Sequence, residues 1–221
     1  MKNLLALAGL VLLVACGSGG PPPPDWKTDS ADLIERYKKH ALLGENTLAE
    51  RYFQQAISAT GGAGRVADTA RLWLVRCATR RAMLIVDACP EYADLARIEP
   101  NAADLAYYRF ITLRWDELDL ALLPSHHRDL VRAPAGKRHD TLSRISDPLA
   151  RLLDASLLVL RREANPQTLE LATETASAQG WRQPLLTYLK LQEKQAIELG
   201  NTAEQARLAK RIQLVEKSLL P

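Results

Sequence analysis

The sequence predicts an all-α protein, and three observations carry that expectation. Its 221 residues include 39 leucines and 32 alanines but only 8 valines and 8 isoleucines. Leucine and alanine are strong helix formers, whereas strands draw on β-branched and aromatic side chains. Apolar residues recur at helical spacing, and no segment shows sustained two-residue alternation with turn signals on both sides. Glycines and prolines divide the chain into runs of helix length with short connections, which favours antiparallel neighbours.

The elements follow in order. A first helix starts near Ser30, carries Leu33, Ile34, Tyr37 and Ala41 on one face, and ends at Gly44. Thr47 and Glu50 have the spacing of a capping box and open a second helix that runs to Gly61-Gly62. A third run from about Arg65 keeps Val66, Ala70, Trp73, Cys77 and Leu84 in register, with Pro90 as its last possible boundary. Two short helices are expected over 101–113 and 115–123. A short helix and then a loop around Pro134-Ala-Gly136 follow over 124–139. Asp147-Pro148 pairs a good N-cap with proline at the first helical position. The next helix starts at Pro166 and stops at Gly180, and a longer one opens at Gln183-Pro184 and runs to Gly200. A second capping box, Thr202 to Gln205, starts the final helix.

The first 26 residues are of another kind. Lys2 precedes an apolar run from Leu4 to Ala15, which is too short for a bilayer span but suits a secretory signal. The run ends in Leu13-Val14-Ala15-Cys16, which resembles the lipobox of bacterial lipoproteins. That resemblance implies a signal peptide over 1–15 and lipidation of Cys16 as the new N-terminus. Gly17 at the next position, in place of the aspartate that such lipoproteins associate with inner-membrane retention, favours the outer membrane; a body facing the periplasm is the leading expectation, with the cell surface as the alternative. Gly17 to Asp25 is Gly/Ser/Pro-rich, so residues 16–26 read as a lipidated cysteine and tether reaching about 25–30 Å. Residues 27–221 then form the helical domain. Net formal charge is +3, or +2 once Lys2 is removed with the signal, too small an imbalance to suggest nucleic acid.

Two further resemblances concern the body. Gly44-x4-Ala49-x3-Phe53-x2-Ala56-Ile57 is similar to the second half of a tetratricopeptide repeat, with glycine at the turn and small alanines where helices touch. The preceding helix departs from that pattern at Arg36, Tyr37 and His40, and no second copy follows at the 34-residue period. The resemblance implies antiparallel helical hairpins stacked as a short irregular solenoid. Leu123-Pro-x2-His-Arg128, Ile145-Ser-Asp-Pro148 and the stretch from Thr175 to Leu186 resemble uncharacterised proteobacterial lipoproteins. That second likeness brings no activity with it.

Candidate chemistry is sparse. Beyond Cys16 the cysteines are Cys77 and Cys89, and an even number in an oxidising envelope points to a disulfide. On one continuous helix twelve residues would hold them about 18 Å apart, against roughly 5.5–6 Å for bridged Cα atoms. A bridge therefore needs the helix to end near 82–85 and Cys89 to be extended before Pro90. Otherwise the two are small buried apolar residues. His126-His127 with Asp129, near Asp116, Glu117 and Asp119, is an imidazole–carboxylate cluster. Adjacent histidines point apart, so one packs or caps and the other is solvated. From Arg128 to Arg151 lie six basic residues against three acidic ones, and Arg128, Arg132 and Arg138 could meet an anionic partner or form a solvated face.

No catalytic motif, metal-ligand spacing or cofactor fingerprint occurs in the sequence, so no catalytic residue, metal or cofactor is expected. The leading functional expectation is a non-enzymatic lipoprotein that binds another envelope protein through a helical groove, as an accessory or assembly factor. A cell-wall glycan- or peptide-acting enzyme and a passive structural lipoprotein are the alternatives. No small-molecule substrate is indicated.

Overall fold

The computed structural model describes residues 22–219, and the signal segment, Cys16 and most of the tether lie outside them. Among the described residues the chain forms eleven α-helices and no strand. They are α1 (Asp25–Leu43), α2 (Asn46–Gly62), α3 (Val66–Ala82), α4 (Pro90–Ile98), α5 (Ala102–Ile111), α6 (Ser125–Arg132), α7 (His139–Leu142), α8 (Pro148–Leu160), α9 (Pro166–Ala178), α10 (Arg182–Glu198) and α11 (Thr202–Leu219).

Helices adjacent in sequence pack as hairpins, α1 on α2 and α9, α10 and α11 in succession. Two long-range contacts fold this series back on itself: α3 lies against α8, and α1 against α10. The largest apolar cluster surrounds α3, α5 and α8, with Phe110, Ile111, Leu152, Leu153, Leu157 and Leu158 fully buried. A second cluster joins α1, α2 and α3 around Tyr37, Phe53 and Leu72. The Phe53 ring meets Trp73 edge-on at 4.7 Å, a geometry that suits the aromatic quadrupole. Trp73 and Trp181 touch both clusters and so weld them together. A smaller cluster holds α10 to α11 through Leu189, Ala196, Leu208 and Ile212.

The glycine stop at Gly44 is present, with φ at +82°, and its amide closes the turn on the Ala41 carbonyl. An added Cβ there would lie 2.6 Å from Leu219 Cδ2, the movable end of a side chain, so it is the left-handed backbone that calls for glycine. Asp147 caps α8 as expected, its Oδ1 accepting from the Ala150 amide at 2.6 Å.

Several expected boundaries are corrected. The Thr47–Glu50 box does not form: α2 begins at Asn46, so Thr47 is already helical, and Glu50 turns to Arg76 at 2.9 Å. At the last helix the cap is Asn201 rather than Thr202, accepting the Glu204 amide at 3.1 Å. A true capping box stands instead at Asn165 and Thr168. Residues 115–123 are not one helix but two 3-10 turns, Trp115–Glu117 and Leu120–Leu122. The Trp115 indole is held on the Phe110 carbonyl at 2.9 Å, and Asp119 restarts the chain by accepting from Ala121. Pro90 starts α4 as well as following α3, the role proline plays at a first helical position.

Candidate functional site

The three C-terminal helices each present one stripe to a common groove. On α9 the stripe is Glu170, Thr173 and Glu174; on α10 it is Gln192, Gln195, Ala196 and Leu199; on α11 it is Glu204, Arg207, Leu208 and Arg211. These spacings of three, four and seven are those that place side chains on one helix face. Both α9 and α11 pack against α10, so α10 forms the floor and the other two form walls. The resulting groove has a volume of about 390 Å³. Buried Thr173, Ala196 and Leu208 line its base, while Glu170, Glu174 and Arg207 stand exposed above it.

The walls carry opposite charge. Glu204 and Arg207 neutralise each other through a two-point contact at 2.7 and 2.5 Å. The Arg207 guanidinium and its hydrogen bond hold the Glu204 carboxyl below the usual glutamate range. Among the described residues Glu170 and Glu174 on one wall and Arg211 on the other have no salt-bridge partner. The Gln192 and Gln195 amides, each with donor and acceptor atoms, lie between them.

A second cluster is fully enclosed. His127 on α6 and Asp154 on α8 meet Nδ1 to Oδ1 at 2.7 Å, with both side chains buried. The Phe110 and Tyr107 rings pack on the imidazole at 4.5 and 5.7 Å. Burial pushes the Asp154 carboxyl above the ordinary aspartate range, against the opposing hydrogen bond from His127. Its Oδ2 has no hydrogen-bond partner among the described residues. The His126 ring lies tilted beside that of His127, centroids 4.0 Å apart, and its pKa is lowered by burial first and by that neighbour second.

The chain matches no protein-family model, and no curated protein or solved structure is similar to it.

The residues singled out by sequence are scattered. Cys16 lies outside the described residues. Cys77 and Cys89 are joined by a disulfide with Cα atoms 6.0 Å apart, made possible because α3 ends at Ala82. Cys89 is not extended: its φ of +54° and ψ of +50° are left-handed, and its amide donates to Asp87 Oδ1 at 2.8 Å. Asp87 completes a trio of donor atoms with the two sulfurs, all within 4.8 Å. The sulfurs are spent on each other, however, and Asp87 pairs with Arg80 at 3.1 Å.

Arg128, Arg132 and Arg138 are differently employed. Arg138 reaches Glu163 at 2.5 Å and stacks over Trp115, which also carries Arg161 over its ring. Arg128 donates to the Leu123 carbonyl at 3.3 Å, and Arg132 is exposed. Asp154 went unnoticed among the nearer carboxylates, although an aspartate inside the leucine stripe of 149–160 was its signal. The groove residues were missed too. Their signal was polar and charged side chains at three-, four- and seven-residue spacing on consecutive helices.

Proposed function

We propose that this protein works by binding another envelope protein in the groove between α9 and α11, as a lipid-anchored accessory or assembly factor. The observation that carries the reading is the groove itself. Three helices in succession turn polar and charged stripes toward one concave volume of about 390 Å³, and unpaired charges face each other across it. A surface of that kind is ordinary recognition machinery in stacked helical hairpins. The α1–α2 hairpin adds support for a tetratricopeptide-like stack, with Gly44 at its turn and Ala49, Phe53 and Ala56 buried where the helices meet. The lipobox-like Leu13 to Cys16 and the proline tether support attachment to the outer membrane.

The test uses the full chain in living cells. A photo-crosslinking side chain at Gln195 should capture one dominant envelope protein, and the same group at exposed Arg132 should not. Equal capture at both positions, or none at Gln195, refutes binding in the groove. Cys16→Ser should shift the protein to the soluble periplasmic fraction, and a variant that stays in the membrane refutes the lipid anchor.

A further inference from the structure

Resting on the groove reading, we infer that the occupant is an extended peptide segment that directs a basic side chain to α9 and an acidic one to α11. Within a helix the backbone N–H and C=O groups bond to one another, whereas an extended chain keeps them free to bond outward. Gln192 and Gln195 on the floor supply matching donors and acceptors, and neither side chain makes a hydrogen bond among the described residues.

Charge sets the direction of the segment. Glu170 and Glu174 lie one turn apart on α9 and share a single wall, so together they favour a lysine or arginine there. On α11 Glu204 is ion-paired with Arg207 and also feels the Arg211 charge, so the wall keeps a net positive charge, and Arg211, which makes no ion pair among the described residues, can meet a carboxylate. The two walls therefore select a segment of mixed charge and reject a purely acidic or purely basic one, because like charges brought together across an interface are costly. Exposed Leu199 at the end of the groove offers an apolar contact beyond the charged pair.

The probe is a library of random dodecapeptides selected against the purified full-length chain in detergent micelles. Selected peptides should carry one basic and one acidic residue, and Gln195→Trp, which fills the groove, should abolish their binding. The double change Glu170→Lys with Glu174→Lys should weaken them about ten-fold. Adding Arg211→Glu should restore affinity for peptides of inverted order. Helicity by circular dichroism checks that these changes leave the fold intact. Peptides blocked by Gln195→Trp but lacking the charge pair, or insensitive to the reversals, overturn this inference and leave the groove reading standing. Selection that yields no groove-dependent peptide overturns both.

Discussion

Two histidine–carboxylate pairs in this molecule use the same chemistry in opposite surroundings. His40 and Glu45 meet at 2.5 Å across the α1–α2 turn, with Glu45 39% exposed. His127 and Asp154 meet at 2.7 Å inside the core, with Asp154 0% exposed. The hydrogen bond from His40, helped by the Arg182 charge, holds Glu45 below the ordinary glutamate range. Burial drives Asp154 above the ordinary aspartate range despite the same kind of bond. The partner decides the direction only where water still solvates the carboxylate. Once water is gone, desolvation outweighs one hydrogen bond.

The largest expected effect comes from breaking the buried pair. Asp154→Ala strands the His127 ring nitrogen and leaves a void, and should cost about 2–4 kcal/mol in chemical denaturation. Replacing both partners by leucine should recover much of that loss, because it removes the buried polar groups together. If the double variant is no better than the single one, the pair contributes something other than mutual satisfaction.

Next in size is the turn that brings His40 to Glu45. Gly44→Ala adds a Cβ to a left-handed residue and presses it against Leu219, so about 1–2 kcal/mol should be lost. Unchanged thermal stability would show that the turn leaves its left-handed conformation without cost.

Acid titration separates the two pairs by sign. With Glu45 lowered, the unfolded chain binds the extra proton, so its contribution is present above the unfolded glutamate value and is lost as pH falls through the folded one. With Asp154 raised, the folded chain binds the extra proton. Its contribution is therefore greatest at low pH and declines as pH rises from about 4 through the folded value. Asp154→Asn should flatten that second decline, and Glu45→Gln should remove the first rise. Finding the same slope change in both variants would dissolve the contrast. At neutral pH, Glu45→Gln is the smallest effect, under about 1 kcal/mol, as for exposed ion pairs generally.

This contrast also marks what a sequence reader can see. Helices were legible because Leu/Ala stripes and Gly/Pro stops are local signals, and Asp147-Pro148 and Gly44 act as local geometry dictates. Thr47 does not cap because α2 has already begun at Asn46, directly after the Gly44 turn, which lies against Gln183 of α10 and Leu219 of α11. Cys89 could not be read as left-handed from Pro90 alone, since Asp87 supplies the bond that holds it there. The partnership of His127 with Asp154 spans 27 positions and two helices, and only packing reveals it. Arg138 looked like free surface charge, yet Glu163 and Trp115 claim it from elsewhere in the chain.

Arg182 at the start of α10 also gives an expectation for the order in which the molecule closes. Its guanidinium donates to the Leu43 carbonyl at 3.1 Å, to Glu45 at 2.9 Å and to the Ser218 carbonyl at 2.7 Å. The first of these bonds spans 139 positions, and closing a loop of that length costs roughly 4 kcal/mol in chain entropy before any contact repays it. Hairpins such as α1–α2 bear no such cost, so they are expected to assemble early and the clasp to form last. Arg182→Ala should therefore accelerate unfolding in stopped-flow experiments and leave the refolding rate nearly unchanged. Slowed refolding would place the clasp in the transition state instead. During synthesis α1 emerges long before α10 exists to cover it. The face it turns toward α10 stays bare until then, a window in which an early-folded hairpin depends on chain not yet made.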